Sequence, residues 1–311
     1  MRNGPTRKTI FGIAWKLLKR TEEEWLNDKA PQLGAALAYY TVFSLAPLVL
    51  LLLAVIGSVF RDDPAGAWSR VTGQMSYFLD KSAIQVVQDI ARTAAAPGKS
   101  TLATIIGIAL ALFGASGVFG QLQDALNAIW GVKAKPERGI WRFLRARFLS
   151  FAMVAGVCFL LLVSLTIEAL LKGFSHYIQT RLPGGLTIAV SVYLIFDFAV
   201  IVGVFGMIFK VLPDVRIRWR DIWVGAIITA LFFVIGKWVL GLYLGSGTAA
   251  SAYGAASSLI TLLLWVYYSS QILLFGAEFT QVYASEFGGP LESRRYAVLV
   301  KRKEIEQPPL R

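Results

Sequence analysis

Residues 31–60 read PQLGAALAYYTVFSLAPLVLLLLAVIGSVF, and no side chain in the stretch carries a charge. About 20 consecutive, mostly apolar residues are enough to cross a bilayer as a helix. A first span is therefore placed at 33–60, long enough to tilt, with Pro47 predicting a kink inside it. Working outward, five more blocks of similar character follow at about 101–124, 148–171, 186–209, 223–244 and 257–283. The whole chain fits this reading. Of its 311 residues 56% are hydrophobic and 16% charged, where a soluble domain carries about 25% charged residues. The expected fold is all-α: a polytopic membrane helical bundle with six transmembrane helices in a domain spanning 31–284.

The flanks are different in kind. In residues 1–30, Phe11, Trp15, Leu18 and Trp25 recur near helical spacing, with Lys16, Lys19 and Arg20 between them. That pattern predicts an interfacial amphipathic helix. Lys16 interrupts the apolar run and no small-residue cleavage site follows, so a signal peptide is not expected. Residues 61–100 are mixed in polarity, and Val71, Met75, Ile84, Val87 and Ile90 predict outer amphipathic helices. The segment 285–311 reads as a charged tail, ending near Pro308 and Pro309 and expected to lack fixed structure.

Lys and Arg counts set the orientation. Residues 1–30 hold 7, 131–147 hold 6, 210–222 hold 4 and 285–311 hold 6, against 5 in 61–100 and 2 in 172–185. The excess of 23 over 7 places both termini in the cytoplasm, which needs an even number of spans. The net charge of +12 is accordingly topology information, and no nucleic-acid partner is expected. The expected partners are membrane lipids, with anionic headgroups on the cytoplasmic side, and a second copy or an envelope protein.

Ionisable groups inside spans are costly and mark candidate sites. Glu168, Asp197, Lys237 and Glu278 are such groups. Asp197 lies about 11 residues and Lys237 about 7 residues from the outer ends of their spans, a difference in level of roughly 6 Å. A lysine side chain bridges that, with Glu168 as a rival partner. A buried structural pair and a hydrated polar path both fit. Tyr267, Gln271 and Glu278 share one face of the sixth span, and Tyr40, Ser44 and Pro47 one face of the first. Gln123, Asp124 and Asn127 close the second span. These three ends are candidates to meet in a polar vestibule on the cytoplasmic side.

Two basic clusters, Arg138, Arg142 and Arg145 around Trp141 and Arg216, Arg218 and Arg220 around Trp219, fit interfacial anchoring or anionic-lipid contacts. Cys158 and His176 are the only residues of their kinds, too few for a metal site, and neither a metal nor a cofactor is expected. No P-loop, GxSxG or HExxH motif is present.

Several segments in order carry a resemblance. LGAALAYYTVFSLAPLVLLL (33–52), LQDALNAIWGV (122–132), VLPDVRIRWRDIWVGAIITALFF (211–233) and YGAASSLITLLLWVYYSSQILLFGAEFTQVYA (253–284) together resemble the YihY/BrkB family of bacterial membrane proteins. The resemblance implies a multi-pass protein of the inner membrane with six helices. Some members bear a ribonuclease label, which fits poorly here, because the carboxylates are scattered in depth and one histidine cannot supply an acid–base pair. The leading expectation is a transporter or a lipid- or amphiphile-handling protein of the cell envelope. The alternatives are a non-catalytic envelope scaffold, with residues 61–100 meeting its partner, and a membrane-associated ribonuclease.

Overall fold

The computed structural model describes residues 7–59, 62–75, 81–94, 117–134, 185–245, 257–288, 292–293 and 297–299. These are mostly helical. In chain order they form α1 (Arg7–Asn27), α2 (Ala30–Val59), α3 (Pro64–Met75), α4 (Lys81–Ala94), the helical residues 117–129 as α5, β1 (Val132–Ala134), α6 (Gly185–Val211), β2 (Val215–Arg216), α7 (Trp219–Gly245), α8 (Ser257–Phe287), β3 (Glu292–Ser293) and β4 (Ala297–Leu299). The third expected span and most of the second lie outside the described residues.

Three of the described helices carry windows long and apolar enough to cross a membrane: Leu194–Val211, Trp219–Leu242 and Leu259–Phe287. α2 is a continuous helix of 30 residues through Pro47 and contains no charged residue. Their outer faces support membrane residence more strongly than length does. Leu194, Ile195, Leu231, Ile235 and Leu242 are exposed, and Trp238 is 68% exposed. Against water this would be a large apolar patch. Against hydrocarbon it is the expected face, since each helix already satisfies its own backbone polar groups.

α7 and α8 cross antiparallel through a reciprocal pair of notches. A Cβ placed on Gly225 would fall inside the side chain of Thr280, and one on Gly276 inside the side chain of Thr229. Both threonines are fully buried. Each donates to the carbonyl of the glycine one turn back on its own helix, Thr229 Oγ1 to Gly225 O at 2.7 Å and Thr280 Oγ1 to Gly276 O at 2.6 Å. Both helices thus present a Gly-xxx-Thr stripe. Small residues of this kind let helix backbones approach where no hydrophobic drive separates protein from lipid. α6 also packs against α7, with Phe205 against Phe233 at 5.5 Å and Phe233 against Trp265 of α8 at 6.5 Å.

α1 is more than a surface helix. It runs antiparallel along the last turns of α8, with Lys16 and Arg20 paired to Glu286 at 3.1 and 3.0 Å and Trp25 edge-on to Phe275 at 6.4 Å. Trp15 stays outward, 65% exposed. α4 buries Val87 and Ala91 against Val49 of α2, with Trp68 and Met75 of α3 alongside.

The segment after α8 differs from the expected loose tail. β4 pairs antiparallel with β1, Lys133 opposite Val298, and β3 pairs antiparallel with β2, Val215 opposite Ser293. The all-α expectation is therefore amended by two short ribbons that stitch the tail to two interhelical loops. Gly131, at φ 58°, turns the chain from α5 into β1, a left-handed position that favours glycine.

Candidate functional site

Packing registers bring several expected residues to one level. In the α7–α8 pair, Gly225 faces Thr280, Thr229 faces Gly276 and Gly236 faces Tyr268. Antiparallel helices keep such a register, so Lys237 lies level with Tyr267 and Tyr268. In the α6–α7 pair, Gly206 lies against Ile222 and Ala226 and Phe205 against Phe233. That register sets Asp197 level with the stretch of α7 that carries Lys237. Asp197, Lys237 and Tyr267 thus form a layer across three adjacent helices, within the membrane-length window of each. Asp197 and Lys237 are partly buried and both are engaged with other groups. Among the described residues, the buried hydroxyl of Ser269, one residue beyond the tyrosines, has no hydrogen-bond partner, and neither has the Oε1 atom of Gln271. Orphan polar atoms of this kind cost about 1–3 kcal/mol each, which makes them informative inside an apolar bundle.

The other expected vestibule is arranged differently. Asn127 is buried and uses both ends of its amide on Asp214: Nδ2 donates to Asp214 Oδ2 at 3.0 Å, and Asp214 N donates to Asn127 Oδ1 at 2.8 Å. Gln123 Nε2 donates to the second carboxylate oxygen at 3.2 Å. These residues clamp the loop after α6 onto the end of α5. Ser44 is buried and donates to Thr41 O within α2 at 3.0 Å. Tyr40 lies against Gly117, at the opposite end of the described part of α5 from Asn127. Asp124 is exposed and engaged. Gln123 and Asn127 are therefore committed to a structural clamp, because the buried carboxylate of Asp214 needs their hydrogen bonds. The side chain of Pro47, and Glu168, Arg138, Arg142 and Arg145, lie outside the described residues.

The remaining basic cluster surrounds the start of α7. Arg216, Arg218 and Arg220 are exposed. Arg218 Nε meets Asp221 Oδ2 at 3.1 Å. Trp219 stacks on Trp223 at 6.1 Å, both about half exposed, and Lys210 Nζ sits 5.1 Å from the Trp219 ring centre. This is a basic and aromatic collar of the composition found at membrane interfaces. Among the described residues no group of His, Cys, Asp and Glu is arranged to hold a metal ion.

A family model described as Virulence factor BrkB matches residues 21–297. The chain belongs to that family. Among its relatives is a UPF0761 membrane protein of Tolumonas auensis, 28% identical over 261 residues, covering 82% of this chain and 80% of the relative. Another, of Alteromonas mediterranea, is 27% identical over 280 residues, covering 89% and 88%. A third, of Pseudomonas aeruginosa, is 28% identical over 258 residues, and there the match covers 81% of this chain but only 59% of the longer relative. No solved structure matches.

The BrkB-family match spans α2, the collar, the α7–α8 notches and both ribbons as far as Ala297. The sequence reading missed Asp214, Thr229 and Thr280 as organising residues. Asp214 follows Pro213 in a loop otherwise taken as topogenic. The two Gly-xxx-Thr stripes, Gly225 to Thr229 and Gly276 to Thr280, were present as a repeated signal on two helices.

Proposed function

We propose that this BrkB-family protein moves or handles a lipid or similar amphiphile across the inner membrane, with the α6–α8 polar layer as its path. The observation that carries the reading is that layer: Asp197, Lys237 and Tyr267 share one level of three membrane-length helices, beside the unpartnered hydroxyl of Ser269. Ionisable groups at such positions are retained where they face a substrate or a hydrated cavity. The collar of Arg216, Arg218, Arg220, Trp219 and Trp223 suits anionic headgroups at the mouth of such a path. In this reading the collar end and both termini face the cytoplasm, as the Lys and Arg distribution requires.

The test is transbilayer movement of a headgroup-labelled anionic lipid in liposomes holding the purified protein. Wild type should exceed empty liposomes, and the Asp197→Asn, Lys237→Met double variant should fall to background while keeping its helical content. No movement above background for wild type, across several anionic and zwitterionic lipids, would overturn the lipid reading in favour of a scaffold.

A further inference from the structure

The face of α8 that meets α7 carries two hydroxyls besides its glycine and threonine notch. Ile272 packs on Gly236 of α7, where a Cβ would lie 2.9 Å from Ile272 Cδ1. Tyr268, one turn earlier, shares that face. The same Cβ would lie 2.6 Å from Tyr268 Cε1 and against its hydroxyl oxygen. Ser269 is on this face as well. It lies one turn after Trp265, which meets Phe233 of α7, and two turns before Gly276, which meets Thr229. The absent side chain of Gly236 thus seats the Tyr268 ring, and Tyr268 Oη and Ser269 Oγ enter the α7–α8 contact beside the level of Lys237.

The walls around these hydroxyls are apolar. Phe233 and Leu240, one turn to either side of Gly236, are buried, and so are Trp265 and Ile272 across from them. Tyr268 and Ser269 are half-buried as whole residues, so the slot opens on one side. The Ser269 hydroxyl oxygen is itself buried and has no hydrogen-bond partner among the described residues. Lys237 lies about 100° round α7 from Gly236 and is already engaged. Gln271 belongs to the flank toward α2, where it packs on Gly34. Glu278, two turns further on that flank, is fully buried. The slot therefore offers neutral hydroxyl donors between hydrocarbon walls. An ionic group there would lose its water without gaining a counter-charge. A neutral acceptor would take the bond that the Ser269 hydroxyl lacks, at no such cost. In an amphiphile, the neutral acceptor joined directly to the chains is an ester carbonyl.

We infer that the slot at Gly236 binds the acyl-ester carbonyl of the amphiphile, with Ser269 Oγ and Tyr268 Oη donating to it. The inference rests on the lipid reading and gives its substrate class: acyl-ester lipids in preference to ether-linked ones. A lipid that crosses takes its ester groups out of the hydrated interface into the bilayer interior, where the lost water costs most. Gly236 lies within the membrane-length window of α7, and Tyr268 and Ser269 lie within that of α8. The two hydroxyls replace that water at the depth where none is supplied by lipid.

The experiment uses the full chain in liposomes made of ether lipid. The probes are a headgroup-labelled anionic glycerophospholipid in two forms, diacyl and dialkyl, with the same headgroup and chain length. After subtraction of empty liposomes, wild type should move the diacyl form about fivefold faster, the weight of one net hydrogen bond. Ser269→Ala and, separately, Tyr268→Phe should bring that ratio toward one, and so should Gly236→Ala, which unseats the Tyr268 ring. A second readout is the melting temperature in nanodiscs of diacyl or dialkyl lipid. Wild type should melt higher in the diacyl lipid, and Ser269→Ala should lose that difference. Equal movement of both forms by wild type, or a ratio unchanged in Ser269→Ala, overturns the inference and leaves the lipid reading standing. Movement of neither form overturns the lipid reading; the melting temperatures then decide the slot, and equal values in the two lipids overturn it. If Ser269→Ala fails to fold, Tyr268→Phe decides by both readouts.

Discussion

Substituting Gly225 by Ala tests the crossing of α7 and α8, on which the level of Lys237 against Tyr267 and Tyr268 depends. The new methyl carbon would lie 2.7 Å from Thr280 Cβ and 3.0 Å from its Cγ2, where carbon atoms prefer about 3.5–4.0 Å. The helices must separate by about 1 Å or Thr280 must rotate. Rotation forfeits its bond to Gly276 O, which is worth about 0.5–1.5 kcal/mol. Overpacking of this kind costs about 1–3 kcal/mol. A loss of about 2–4 kcal/mol is therefore expected. Gly241→Ala, on the same helix, is the control, since a Cβ there meets nothing within 4 Å. It should be neutral or slightly stabilising through helix propensity. The assay is resistance to unfolding by heat and by denaturing detergent, with helicity as the signal. Adding Thr280→Gly to Gly225→Ala should recover part of the loss, because it empties the space the methyl needs. Equal stability of Gly225→Ala and Gly241→Ala would refute the crossing and the levels inferred from it.

Asn127→Ala should destabilise the protein by about 2–4 kcal/mol in the same unfolding assay, because it takes one donor from the buried carboxylate of Asp214 and leaves the Asp214 backbone N–H without its acceptor; Asn127→Asp should be worse, placing a second carboxylate against the first. Paired cysteines at Val215 and Ser293, opposite one another in the β2–β3 ribbon, should form a disulfide under mild oxidation in a variant lacking Cys158. A pair at Val215 and Phe287 should not, and the two are compared by mobility on a non-reducing gel.

The helices themselves were legible because length and apolarity decide them. The uncharged run from Pro31 onward becomes α2, and the blocks from 186, 223 and 257 become α6, α7 and α8. The ribbons were not legible, because strands of two or three residues are too short to show an alternating pattern. The docking of α1 was hidden for a different reason: its amphipathic pattern suits a membrane surface and a neighbouring helix equally well, and only Glu286, far off in sequence, reveals which face Lys16 and Arg20 serve. Asn127 shows the limit for site residues. A buried amide reads the same in sequence whether it meets a substrate or a loop carboxylate such as Asp214.

The polar layer is tested most directly by whether water reaches it from within the bundle. Single cysteines at Ser269 and at Val239, in a reconstituted variant lacking Cys158, would be exposed to a small charged thiol reagent that cannot cross lipid. Ser269 carries the unpartnered buried hydroxyl, while Val239 lies on the outward face of α7. A hydrated path predicts modification at position 269, lost when the Asp197→Asn, Lys237→Met change is added, and none at position 239. Modification at 239 but not at 269 would mean a bundle packed dry, and would contradict the account.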